Sequence, residues 1–428
     1  MLSIFVDQIS KRLTYTFSII FEDRGVEYQV LNDPLTFKRA KGLKIVYSDC
    51  PLEERYPTIS PASVLFDESI IPYTVEKSTW NNKEVLSFDG KIDVLASIFY
   101  IISLYDEYLL EEKDVHDRIE VKNAILSRMN WTQQLIVERW SEQFIQFIES
   151  GNNQALKKRA IPFSIKPTFD IDNTYAYHLK SGWRKWMSIG KDLVKFDKNR
   201  LRERKDVLTG IKKDPYDTFE IILDVVKRGF DVNVFWLLGD YAVYDRNIPF
   251  DVEEHQQLIQ KMDEYTTIGL HPSYRSNQSR TIVQEEKERL ENIVDHPVEH
   301  SRQHYLKLRV PQTYQNLEKL GFTDDYTLGF ADSIGFRAGI ARPFLWYNLK
   351  KEEVSNLTLH PITYMDGTLN EYLNVPVEEA QQIITALGKE VKQYGGEFIA
   401  IWHNETIGDY GKWKGWREVL EATLSLKK

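Results

Sequence analysis

Two aspartates stand two residues apart at the end of an apolar run, where Phe163-Ser-Ile-Lys-Pro-Thr-Phe169 leads into Asp170-Ile-Asp172. In an extended chain, residues two apart point the same way, so both carboxylates face one cleft. Two carboxylates that close do not both stay ionised without a cation beside them. A bound metal resolves the conflict, with one carboxylate as ligand and the other as base. The plainer use of Asp172-Asn-Thr174 is to cap a following helix. His271 follows another apolar run, in Ile268-Gly-Leu-His-Pro-Ser-Tyr274, and the proline after it places it in a loop. His304 lies in Ser301-Arg-Gln-His-Tyr305. An Asp and two His make a three-ligand metal site that leaves positions for water and substrate. His403, in Ile399-Ala-Ile-Trp-His-Asn404, stands where an apolar strand gives way to polar residues. An imidazole there suits a general acid, since its ordinary pKa lies near neutrality. Arg337, in Gly335-Phe-Arg-Ala-Gly339, is flanked by small residues that let a substrate approach. Its fixed charge would hold a carboxylate in its basic form, although a surface salt bridge is the commoner use of a single arginine.

These residues need strand ends to hold them. From residue 160 strands alternate with amphipathic helices: strands at 161–169, 232–238, 266–270 and 398–402, helices at 216–228 and 281–294. That alternation implies parallel strands with crossover helices, hence an α/β barrel or an open α/β sheet. In either fold chemistry gathers at the C-terminal ends of the strands. Residues 1–155 mix strands at 26–31 and 43–47 with helical spacing at 92–110 and 131–148, and read as an α+β domain. The polar stretch Ser150-Gly-Asn-Asn-Gln-Ala-Leu-Lys-Lys-Arg159 marks the boundary, with the second domain running from 160 to 428.

Two domains are also what 428 residues suggest, since this exceeds the usual size of one core. A net charge of −9 argues against a general nucleic-acid binder, which needs surplus Lys and Arg. The single cysteine, Cys50, excludes an internal disulfide and a cysteine-based zinc site. Neither a leader nor a run of roughly 20 apolar residues is seen, so the expectation is a cytoplasmic protein without a transmembrane segment. One stretch, 180–213, carries 12 Lys or Arg against 4 Asp or Glu, with Trp183, Trp186 and Met187 among them. Contact with an anionic membrane surface or a polyanion is its functional reading, a solvated helix the ordinary one.

Taken together, Thr168-Phe-Asp-Ile-Asp172, Val234-Phe-Trp-Leu-Leu-Gly239, Gly269-Leu-His-Pro-Ser-Tyr274, Gly335-Phe-Arg-Ala-Gly339 and Ile401-Trp-His403 occur in an order that resembles the polysaccharide deacetylase superfamily (NodB-homology, carbohydrate esterase family 4-like). The resemblance covers residues 161–428. The whole chain is similar to a bacterial subgroup with an uncharacterised leading domain, to which Leu104-Tyr-Asp-Glu-Tyr108 and Asp114-Val-His-Asp-Arg118 look like motifs. It implies a distorted (β/α) barrel and a metal-dependent hydrolase that removes an N-acyl group, most simply N-acetyl, from an amino sugar in surface-polysaccharide metabolism. By position it implies Asp170 as base, Asp172 and His271 as metal ligands, His403 as acid and Arg337 as the arginine that tunes the base. Asp366, in Tyr364-Met-Asp-Gly367, matches the aspartate that orients the acid.

The chain departs from the family twice. Ile171 separates aspartates that usually adjoin, and Arg275 stands where a second histidine is expected. The missing ligand is therefore assigned to His304, oriented by Arg302; His296, His300 and His360 lack a strand-end setting. One carboxylate and two imidazoles suit Zn2+, with Co2+, Ni2+ or Fe2+ also fitting. A backbone N–H near Ala338 or Gly339 is the expected oxyanion donor. Three other readings fit the same residues: hydrolysis of a cyclic amide, a carbohydrate-binding relative without catalysis, and a leading domain that docks the enzyme in an assembly.

Overall fold

The computed structural model describes residues 1–50, 52–179 and 198–427. Most of the basic stretch, 180–197, lies outside them; its described continuation includes the helix Lys198–Leu208.

The chain begins with β1 (Leu2–Val6), whose five residues are all buried. The helix Lys11–Phe21 crosses to β2 (Tyr28–Leu31), which pairs parallel with β1. Ser10 caps that helix by accepting from the Leu13 N–H. β3 (Leu43–Tyr47) and β4 (Thr58–Ile59) complete a sheet ordered β2-β1-β3-β4. An antiparallel sheet of β5 (Val75–Trp80), β6 (Lys83–Phe88) and β7 (Lys91–Ile92) follows. Asn81 and Asn82 turn the β5–β6 hairpin, both at positive φ, the backbone that asparagine tolerates best after glycine. The first sheet is parallel with a helical crossover, so the leading part is α/β in its first half. The α+β expectation is corrected there, because strand spacing alone does not reveal strand direction.

The second part of the chain forms one nine-stranded sheet. Its strands are β8 (Phe163–Ile171), β9 (Asn233–Trp236), β10 (Thr267–Leu270), β11 (His300–Ser301), β12 (Asp324–Asp325), β13 (Phe344–Asn348), β14 (Glu353–Leu359), β15 (Tyr364–Met365) and β16 (Gly396–His403). Their order is β13-β14-β12-β11-β10-β9-β8-β16-β15, and all neighbours run parallel except β13 and β14. This is the sequence of strands around a barrel, but the described hydrogen bonds do not close one. β13 turns back antiparallel and takes the edge of β14 that β15 would need. The part of the expected distorted (β/α) barrel that is seen is a nine-stranded, mostly parallel α/β sheet, without closure among the described hydrogen bonds.

Side-chain alternation divides the sheet into two faces. On β16, Phe398, Ala400 and Trp402 join the main core, whereas Ile399 and Ile401 join a smaller cluster with Phe235, Leu306, Tyr326, Ala331 and Ile362. On β9, Val234 and Trp236 face the main core and Phe235 the smaller cluster. Gly269 of β10 makes room for Phe235, since a Cβ there would lie 2.5 Å from its ring. The smaller cluster is the floor on which the polar strand ends stand.

The two parts of the chain share the main core, which runs from Leu2 to Leu424. Buried ion pairs cross between them. Glu138 receives Arg24 and, at 2.8 Å, Arg342, while Arg12 donates to Glu352 at 2.6 and 2.9 Å. Pairs of this kind fix how elements sit, because removing one partner strands a buried charge.

Helix Glu253–Asp263 packs His255 behind the segment that follows β8. The imidazole lies 3.2 Å from the Pro249 carbonyl through Nδ1 and 3.0 Å from Thr174 Oγ1 through Nε2. Burial pushes its pKa down to about 4. A histidine that is neutral in the fold and protonates near 6.5 when unfolded stabilises fully only above that value. The stability is lost as pH falls from about 6.5 toward 4, amounting to about 2 kcal/mol between pH 7 and pH 5. Urea unfolding at those two pH values should show His255→Gln losing about 2 kcal/mol less than the wild type. An identical pH dependence in the variant would remove His255 from this role.

Candidate active site and metal centre

The C-terminal ends of β8, β10, β11, β15 and β16 meet around one cleft of about 200 Å³. Asp170, Asp172, His271, His304, His403 and Glu405 all line it. Asp172 is half-buried and sits between three imidazoles. Its Oδ1 is 3.2 Å from His271 Nε2, and its Oδ2 is 3.2 Å from His304 Nε2 and 3.8 Å from His403 Nε2. Burial would raise the Asp172 pKa, but His304, with His271 and His403, holds it well below the usual carboxylate range.

The ligand atoms of Asp172, His271 and His304 lie within 4.8 Å of one another. Each imidazole turns Nε2 to the site because its other nitrogen is taken. His271 Nδ1 lies 2.5 Å from the Arg302 carbonyl, and His304 Nδ1 lies 2.9 Å from Asp245 Oδ1. With Nδ1–H donating there, the Nε2 lone pair is free to ligate. Asp172 Oδ1 is buried and makes no well-formed hydrogen bond despite the nearby His271 ring. The two 3.2 Å separations approach the roughly 3.3 Å between ligands about 2.0–2.1 Å from a tetrahedral ion. The donor set fits a divalent cation such as Zn2+.

Asp170 lies deeper. Arg302 Nη1 donates to its Oδ1 at 2.7 Å, and its Oδ2 is 3.8 Å from His271 Nε2. Arg302 is fully buried, fixed further by Thr168 Oγ1 at 2.8 Å and the Tyr326 carbonyl at 3.0 Å, over the Phe235 ring. On the neighbouring strand, where His403 pairs with Asp170, His403 Nδ1 lies 2.8 Å from Asp366 Oδ1, and its backbone N–H donates to Asp366 Oδ2 at 2.8 Å. Burial would lower the His403 pKa, but Asp366, with Asp172 and Asp170, raises it well above the ordinary value.

The structure thus brings together Asp170, Asp172, His271, His304, His403 and Asp366. Arg337 is elsewhere, and its expected place is corrected. It is buried in a two-pronged pair with Glu107, at 2.7 and 2.8 Å, and donates to the Gly329 carbonyl. Arg302, expected to orient His304, is the arginine on Asp170; Asp245 is the group on His304. The glycines beside Arg337 serve the leading segment rather than a substrate. A Cβ at Gly335 would meet the Thr132 carbonyl oxygen at 2.2 Å, and one at Gly339 the Ile136 side chain at 2.7 Å. The Gly339 N–H already donates to Phe336, so it is not a free oxyanion donor.

Asp245 and Glu405 escaped the sequence reading. Asp245 lies in irregular chain after β9, where no periodicity marks it. Glu405 stands two residues beyond His403, but the strand ends at His403 and the chain turns there, Thr406 N–H donating to the His403 carbonyl, so strand alternation does not mark it. Burial raises its pKa, and Asp172 and Asp366 add to the rise.

Comparison with known proteins gives distant likenesses. Residues 2–153 match a family described as of unknown function, DUF7033. No curated protein matches. Among solved structures, the chain is similar to a putative polysaccharide deacetylase from Mycobacterium smegmatis, at 15% identity and TM-score 0.40, over 62% of this chain and 88% of that one. A polysaccharide deacetylase from Bacillus cereus is similar at 12% identity and TM-score 0.29, over 62% and 86%. An allantoinase is similar at 13% identity and TM-score 0.36, over 62% and 84%.

If the three ligands hold an ion, excess Zn2+ should raise stability by about 2.7 kcal/mol at 100 times its Kd. Thermal melts with and without Zn2+ measure this. Asp172→Ala should abolish the rise, and a rise retained in that variant would place the ion elsewhere.

Proposed function

We propose that the chain is a metal-dependent hydrolase that releases an N-acyl group, most simply acetyl, from an amino sugar of surface-polysaccharide metabolism. The observation that carries this reading is that Asp170 and His403 line the same cleft beside the Asp172–His271–His304 cluster, Asp170 Oδ2 3.8 Å from His271 Nε2 and His403 Nε2 3.8 Å from Asp172 Oδ2. In this reading residues 160–428 carry the chemistry and residues 1–155 form an accompanying domain.

Asp172, His271 and His304 would hold the ion. A divalent ion bound there supplies polarisation of the amide carbonyl and a lowered pKa for water. Asp170 receives the proton of the attacking water at Oδ2, because Arg302 occupies Oδ1 and fixes the carboxylate plane. His403 delivers a proton from Nε2 to the departing amine, since Asp366 holds its Nδ1 and keeps the ring cationic. Amide nitrogen leaves poorly without that proton. Tyr305, Tyr372 and Trp413 line the same cleft and offer flat apolar walls of the kind sugar rings pack against, with Met365 beside them. Arg275, where the resemblance expects a histidine, leaves the set complete because His304 supplies the third ligand.

The test is acetate release from a panel of N-acetylated amino sugars, free, nucleotide-linked and lipid-linked, with cyclic ureides as the competing class. His403→Ala should keep Zn2+ and lose on the order of 10²–10⁴ in kcat. Full amide hydrolysis by that variant would remove His403 from the mechanism, and turnover of ureides alone would replace the sugar reading with cyclic-amide hydrolysis.

A further inference from the structure

One loop of the leading segment reaches the cleft. Residues 114–118, the Asp-Val-His-Asp-Arg motif, lie within the part that matches the family of unknown function. Asp114 organises the loop from within. Its Oδ1 accepts from the His116 and Arg118 backbone N–H groups at 2.8 Å, its own N–H donates to the Arg118 carbonyl, and Asp117 turns the chain at positive φ. The result aims Arg118 outward from its own segment. Its Nε donates to Asp114 Oδ2 at 2.7 Å, while Nη1 crosses to the Tyr305 carbonyl at 2.9 Å. Arg118 is buried and lines the cleft alongside Tyr305 and Tyr372.

The Tyr305 carbonyl is an unusual place to hold. Tyr305 and Leu306 both adopt positive φ, at 63° and 49°, directly after His304. Non-glycine residues in that region are strained and persist where neighbours over-determine them. Here the neighbours include His116, whose ring packs on Tyr305 at 5.0 Å and whose Nδ1 lies 3.3 Å from the Tyr274 hydroxyl. Arg118 and His116 thus grip the turn that carries the His304 ring. Asp245 fixes that ring's Nδ1, but only Arg118, among the described hydrogen bonds, holds the Tyr305 carbonyl.

We infer that the Asp114–Arg118 loop is a positioning element of the metal centre, fixing the Tyr305 carbonyl and thereby the aim of His304 Nε2. The leading segment then has a function of its own, completing a site whose ligands all lie in the other half of the chain. The inference rests on the metal site proposed above. Arg118 touches neither the ion's ligand atoms nor the reacting atoms; it acts through the backbone beside one ligand.

The test is Zn2+ affinity of the full chain by calorimetry, read together with the melting temperature of the metal-free protein. Groups that orient ligands are worth 10–100-fold in metal affinity, so Arg118→Gln should weaken Zn2+ binding by about that factor. Arg118→Lys keeps the charge and carries the test if the glutamine variant does not fold. It should also bind weakly, because one ammonium cannot span Asp114 and Tyr305. Arg12→Gln breaks the pair with Glu352, another joint between the same halves that does not line the cleft. It should lower the melting temperature and leave Zn2+ affinity unchanged. Zn2+ affinity within about twofold of wild type in both Arg118 variants would overturn the inference, as would an equal loss in Arg12→Gln. A wild-type chain that binds no Zn2+ would overturn the metal-site reading and this inference together, whereas retained binding in the Arg118 variants would sink this one alone.

Discussion

Two carboxylates leave the end of β8 on the same side, a few ångströms apart, in a buried setting. Each meets positive charge or hydrogen-bond donors, which the surrounding strand ends supply by two different means. Asp170 receives the Arg302 guanidinium, a permanent charge locked between Thr168, Tyr326 and Phe235. Asp172 receives imidazoles, whose Nε2 atoms can instead ligate a cation. That difference divides the pair into a carboxylate that is held and a carboxylate that is shared. Everything around the cleft follows from it: Asp245 and the Arg302 carbonyl turn the rings of His304 and His271, and Asp366 turns that of His403.

The same economy of partners explains how the halves of the chain fit. Arg337, Arg342 and Arg12 all look like strong site candidates by charge and burial, yet each is consumed in the joint. Glu107, Glu138 and Glu352 take them. Buried pairs of this kind contribute less to net stability than to fixing one arrangement, since any sliding would strand a charge. Holding the halves in one arrangement is also what brings Arg118 of the 114–118 loop to the cleft.

How much of this could be read from the sequence depended on strand length. Asp170, Asp172 and His403 end strands of nine and eight residues, long enough for apolar alternation to announce both the strand and its end. His271 ends a four-residue strand and was marked by the proline after it. Arg302 follows a two-residue strand, too short to leave a pattern, so its hold on Asp170 was not legible. The partner of Arg337 is Glu107, 230 residues earlier, a contact no local spacing can show. The alternation of strands and helices pointed to the parallel sheet. The antiparallel turn of β13 onto β14 was hidden because it is a matter of pairing rather than of residue type.

The central claim is that Asp172, His271 and His304 share one cation. X-ray absorption of the Zn2+-loaded chain tests it most directly. The account predicts two imidazole nitrogens and carboxylate or water oxygen at about 2.0–2.2 Å, with one nitrogen lost in His304→Ala. A Zn2+ shell lacking imidazole scattering, or one unchanged in that variant, would contradict it.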